Sequence, residues 1–87
     1  QNTDSKSFFL KINNPVLINT SITFQPADAI SSIYPNPIPN LYKGQQLILS
    51  GRYSNPEDIN ITLTGNAFNL PVSYDFPISL ADSNVVE

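Results

Sequence analysis

The stretch Leu41-Tyr42-Lys43-Gly44-Gln45-Gln46-Leu47-Ile48-Leu49-Ser50-Gly51-Arg52-Tyr53 decides the fold class. Leu47, Leu49, Gly51 and Tyr53 recur at period two, and Gln46, Ile48, Ser50 and Arg52 take the opposite parity, the pattern of a strand with one buried face. The residues from Asn40 to Gly44 break the chain before it. A half-buried strand needs partners of the same kind, so alternation and breaks on either side settle what it belongs to.

Upstream, Tyr34-Pro35-Asn36-Pro37-Ile38-Pro39-Asn40 places prolines at alternate positions. Proline removes backbone donors and favours polyproline II, which predicts a stiff crossover between two sheets. Before it, Ala29 to Tyr34 offers only Ile30, Ile33 and Tyr34 for packing and reads as a short edge strand or an irregular connection. Val16 to Phe24 alternates, with Val16, Ile18, Ile22 and Phe24 on one face and Asn19, Ser21 and Thr23 on the other, and reads as a strand ended by Gln25-Pro26-Ala27-Asp28. Ser5 to Ile12 sets Phe8, Phe9 and Ile12 at i, i+1 and i+4 behind a capping Asp4 or Ser5, which predicts a short helix closed by Asn13-Asn14-Pro15. So short a helix is marginal by itself, and the segment is expected to be helical or disordered.

Downstream, Ser54-Asn55-Pro56-Glu57-Asp58 is a turn cluster, after which Ile59, Ile61 and Leu63 alternate with Asn60, Thr62 and Thr64. A link this short predicts an antiparallel hairpin with the preceding strand. Gly65-Asn66 is expected to turn the chain. Phe68, Leu70, Val72, Tyr74, Phe76, Ile78 and Leu80 then hold one parity while Pro71 and Pro77 fall on the other. A central strand tolerates neither proline, so an edge strand, or two strands broken near Pro71 or Pro77, is expected. These elements predict an all-β fold, a small antiparallel β-sandwich of immunoglobulin-like size over residues 14–81. Residues 1–13 are expected to be the remnant of a preceding domain or a linker, and residues 82–87 a frayed tail.

Composition narrows the function classes. A chain of 87 residues has room for one small domain, which buries roughly 60 to 65% of the surface its unfolded form exposes. Apolar residues at 40% against 13% charged exclude a disordered chain. The basic residues Lys6, Lys11, Lys43 and Arg52 are scattered and the net charge is -3, so there is no electrostatic footprint for nucleic acid. Cys and His are both absent. That removes thiolate chemistry, zinc-thiolate sites, disulfides and every Ser-His or Cys-His nucleophile, and with them most enzyme readings. No metal or cofactor is expected. No apolar run approaches the span of about 18 residues that a membrane helix needs, and the start lacks the basic and apolar regions of a signal peptide. With no initiator Met, the chain is expected to be an excised or processed piece of something larger.

The remaining chemistry reads as structural. Asp28, Glu57, Asp58, Asp75 and Asp82 are the candidate carboxylates for glycoside hydrolysis, but Glu57-Asp58 follows Pro56 in a turn, where a solvated pair is expected. Phe76 to Asn84 imitates the start of a metal-ion-dependent adhesion site, an apolar strand followed by Asp-x-Ser-x-Ser. Here Ser83 follows Asp82 directly and no second serine comes after it, so the ligand order for Mg²⁺ is wrong. Asn19-Thr20-Ser21 and Asn60-Ile61-Thr62 fit the N-glycosylation triplet. Tyr34, Tyr42, Tyr53 and Tyr74 are candidates for stacking on sugar rings, although tyrosines at strand parity are more often core residues with the hydroxyl at the rim.

Asn14-Pro15-Val16-Leu17-Ile18, then Tyr34-Pro35, Leu41-Tyr42-Lys43-Gly44 and Gly51-Arg52-Tyr53, stand in an order that resembles one known region. It is similar to the segment after the von Willebrand factor A (VWA) domain in inter-alpha-trypsin inhibitor heavy chains and their bacterial relatives, over about residues 5 to 80. The resemblance implies a non-catalytic β-sandwich module that supports an adjacent VWA domain in a secreted, periplasmic or cell-surface protein. Ser5 to Ile12 would then be the end of the A domain's last helix. The implied partners are the VWA and vault-type (VIT) domains of the same polypeptide, with an extracellular protein or glycan as further candidates. The chain contains neither domain, so the family's metal chemistry transfers to no residue here. The alternative is a free-standing carbohydrate- or protein-binding sandwich.

Overall fold

The computed structural model describes residues 5–13, 16–82 and 85–86. Its strands, in chain order, are β1 (Lys6–Asn13), β2 (Ile18–Gln25), β3 (Ser32–Tyr34), β4 (Gln46–Tyr53), β5 (Asp58–Ala67), β6 (Leu70–Ser79) and β7 (Val85–Val86). They form a four-stranded sheet in the order β3-β4-β1-β7 and a three-stranded sheet in the order β2-β5-β6. Every pair is antiparallel except β1 with β7. The fold is all-β, a small sandwich, and no helix occurs among the described residues.

The core lies between the sheets. Leu47, Leu49 and Tyr53 of β4 are buried, as the alternation predicts, and face Ile59, Ile61 and Leu63 of β5. The turn before β4 closes with the Gln45 N–H donating to the Tyr42 carbonyl at 3.0 Å, and Gly44 takes φ +87° at its third position, the type II arrangement.

Ser5 to Ile12 is the first correction. The segment is β1, an inner strand paired along its whole length with β4, from Lys6 opposite Tyr53 to Asn13 opposite Gln46. Phe8, Leu10 and Ile12 point into the core at period two. The helical pattern arose because Phe9, on the outward parity, is also large and apolar. Val85 and Val86, expected in a frayed tail, pair with Phe9 and Leu10.

Three links also differ from expectation. The link Ser54 to Glu57 is no hairpin: β4 is already flanked by β3 and β1, so the chain crosses to the other sheet and β5 pairs with β2 and β6. The proline segment begins and ends in the four-stranded sheet, between β3 and β4, in place of a passage between sheets. It contains cis bonds at Tyr34–Pro35 and Asn36–Pro37. Ile38 is buried, and the segment straps the opposite sheet: Leu17 and Leu41 exchange N–H to carbonyl bonds at 2.8 and 2.7 Å, and the Thr20 hydroxyl donates to the Ile38 carbonyl at 2.9 Å. Gly65 and Asn66 do not turn the chain but lie within β5, and the hairpin turns at Phe68-Asn69, between the paired Ala67 and Leu70. Gly65 serves close approach, since a Cβ there would stand 2.7 Å from the Ile18 carbonyl oxygen and from Leu17 Cγ.

β2 carries a register shift between Ile18 and Ser21, with Asn19 at φ 55°. A bulge of this kind changes the parity. Leu17 is therefore fully buried while Ile18 is exposed, reversing the assignment that alternation gave; Ile22 and Phe24, beyond the bulge, pack against the core. β3 is the short edge strand, the first of its two sequence alternatives. β6 is one unbroken edge strand, with Pro71 and Pro77 opposite Asn66 and Asn60.

Candidate functional site

The outer face of the four-stranded sheet gathers side chains whose exposure the fold does not require. Phe9 of β1 and Tyr34 of β3 both pair with Ser50 of β4, so the register sets two aromatic residues on either side of one small one. Phe9 is 41% and Tyr34 72% exposed. On one side of that row Lys11 faces Ile48, itself 51% exposed; on the other, Arg52 stands between Ser7 and Ser32. A depression of about 240 Å³ runs between the aromatic residues, with Ser50 as floor and Arg52 at one end.

Arg52 is fixed by β1 and the residue before it. Its Nε–H donates to Ser5 Oγ at 2.9 Å, Nη1 to Ser7 Oγ at 2.9 Å and Nη2 to the Ser5 carbonyl at 2.8 Å. The acceptors are thus one carbonyl and two hydroxyls. Gly51 lies beneath Phe8, which holds β4 close to β1 at this point. The face is thus aromatic and cationic among the described residues.

The carboxylates are distributed differently. Asp28 and Glu57 line one depression of about 230 Å³ with Ser31, Ser54 and Asn55. Asp58 and Asp82 are exposed at the start of β5 and in the turn after β6. Asp75 lies on the outer face of the three-stranded sheet, where the Thr62 hydroxyl donates to it at 2.7 Å and the Asn60 amide at 3.2 Å. Those two bonds, the Thr62 one foremost, lower its pKa from the ordinary value. No group of three or more Asp and Glu side chains placed to hold a metal ion occurs among the described residues. Ser83 and Asn84 of the adhesion-site imitation lie outside those residues.

Of the tyrosines, Tyr53 is buried with its hydroxyl donating to the Leu80 carbonyl at 3.3 Å, whereas Tyr34, Tyr42 and Tyr74 are exposed. Only Tyr34 belongs to the aromatic row. In the glycosylation triplets, Asn19 is exposed at the β2 bulge, while Asn60 is half-buried on the central strand and bonded to Thr62 and Asp75. Sequence reasoning missed Phe9, assigned to a helix face, and Ile48. The signal for Ile48 was present: it is an isoleucine at the outward parity of an otherwise polar strand face. Comparison of the chain with protein-family models, curated proteins and solved structures finds no match.

Proposed function

We propose that the chain is a non-catalytic structural and interaction module that packs beside a VWA or VIT domain of the same polypeptide in a secreted, periplasmic or cell-surface protein of adhesion type. The observation that supports this reading is the outer face of the four-stranded sheet, where Phe9, Tyr34 and Ile48 stand exposed together. Apolar and aromatic side chains grouped in this way mark an interaction surface. The ordered motifs from Asn14-Pro15 to Gly51-Arg52-Tyr53 support a VWA or VIT neighbour by their resemblance, and the absence of His and Cys supports the lack of an activity. The test is a two-domain protein carrying the upstream A domain. Hydrogen exchange at Phe9, Ile48 and Ser50 is expected to slow relative to the isolated module, and unchanged exchange overturns the reading.

A free-standing binding module is the second reading, favoured by one observation: the slot between Phe9 and Tyr34 has the flanking aromatic residues on which a sugar ring stacks. Titration with a panel of neutral glycans distinguishes it, through chemical shift changes at those two residues.

A further inference from the structure

The same face is charged as well as apolar. Lys11 and Arg52 stand on either side of the Phe9–Ser50–Tyr34 row. No carboxylate shares that face among the described residues: Asp58 and Asp75 belong to the three-stranded sheet, and Asp28, Glu57 and Asp82 to links. Among the described residues this face of a chain of net charge -3 is therefore positive, and positive faces select acidic partners.

Arg52 gives that selection a geometry. A guanidinium carries five N–H donors; among the described residues Ser5 and Ser7 engage three, which leaves one on each terminal nitrogen. The acceptors are neutral hydroxyls and a carbonyl, so they orient the group without cancelling its charge. Beside it, Phe9 and Tyr34 stand two strand spacings apart, roughly 9.5 Å, with only Ser50 between them. That gap admits one apolar side chain.

Resting on the docking role proposed above, we infer that this face takes an acidic protein segment, with one carboxylate bound to Arg52 and a neighbouring apolar side chain seated between Phe9 and Tyr34. A protein segment fits better than a glycan because Ile48 and Lys11 extend the surface beyond one ring-sized slot. Arginine and aromatic residues around a desolvated centre are also the side chains that carry protein interfaces.

The test is an amide chemical-shift titration of the labelled chain with the blocked peptide Asp-Leu-Asp-Leu, its amide counterpart Asn-Leu-Asn-Leu, and maltohexaose as a neutral saccharide. The acidic peptide is expected to shift Phe9, Ser50 and Arg52 saturably. Its affinity is expected to fall about tenfold when the carboxylates become amides, in Arg52→Gln, or in about 0.5 M NaCl. Asp4 lies outside the described residues, so the titration is repeated on Asp4→Asn to remove competition from the chain's own amino-terminal carboxylate. Silence in both proteins, equal response to the amide peptide, or a response to maltohexaose alone overturns the proposal. Peptide failure alongside protected exchange in the two-domain protein removes the acidic partner and leaves the docking role. Peptide binding without that protection removes the docking role alone.

Discussion

Gly51 on β4 lies directly opposite Phe8 on β1, and the phenyl ring fills the space a side chain at position 51 would occupy: a Cβ there would collide with Phe8 Cε1 and stand 2.9 Å from Cζ. The fully buried ring also meets Tyr53 at 6.4 Å between centroids, tilted by 53°. Overpacking so tight a site costs about 1 to 3 kcal/mol. Gly51→Ala is therefore expected to lower the urea midpoint, and Phe8→Leu in the same chain to recover part of the loss, because the two changes share one space. Additive losses in the double mutant, measured by urea unfolding, would show that the two positions do not share it.

The bulge in β2 makes neighbouring residues unequal. Leu17 is fully buried between Leu41 and Gly65, whereas Ile18 is exposed. Leu17→Ala is expected to cost about 2 to 5 kcal/mol, and Ile18→Ala to stay within about 0.5 kcal/mol of the parent. Thermal and urea unfolding check both values. The reverse order would restore the simple alternation of Val16 to Phe24.

Phe68 and Asn69 form the two-residue turn between β5 and β6, at φ 52° and 65°. Left-handed conformations at both central positions define the type I′ turn, which favours Asn-Gly. A bulky residue there carries a cost of roughly 1 to 2 kcal/mol, and Phe68 recovers none of it by burial, being 84% exposed. Replacing Phe68-Asn69 by Asn-Gly is expected to raise stability by about 1 kcal/mol, measured as an upward shift of the urea midpoint with the slope unchanged.

Asp75 sets a dependence on pH. The Thr62 hydroxyl, and then the Asn60 amide, lower its folded pKa, so the unfolded chain binds more protons in the acid range. The stabilisation is complete above the unfolded value of about 3.9 and is lost as pH falls through the lower folded value. Thr62→Val removes the larger cause and is expected to flatten the fall of melting temperature below about pH 4. An unchanged profile would assign that fall to other groups.

Much of the core was legible because alternation maps directly onto a sheet with one wet face. Leu47, Leu49, Tyr53, Ile59, Ile61, Leu63 and Ile78 all point inward as their parity says. Phe9 is an apolar residue on the outward face, and a pattern that treats every large apolar residue as core reads it as part of a helix. Parity places Ile48 outward but does not mark it as part of a surface, because only strand order brings it beside the row of Phe9 and Tyr34.

The class of fold and the turn before β4 follow from residues close together along the chain, and the lack of Cys and His chemistry from composition; for β6 the prolines left an edge strand and two broken strands open, and the pairing with β5 decides for one edge strand. The tertiary structure alone decided which strands are neighbours. β1 meets β4 across a long stretch of chain, with Lys6 opposite Tyr53 and Asn13 opposite Gln46, and Ser54 to Glu57 joins two sheets instead of two strands because both edges of β4 are occupied. That same pairing aligns Phe9, Ser50 and Tyr34 in one row and brings Ser5 and Ser7 to Arg52. Local alternation tells a residue which way to face, and only strand order tells it what stands alongside.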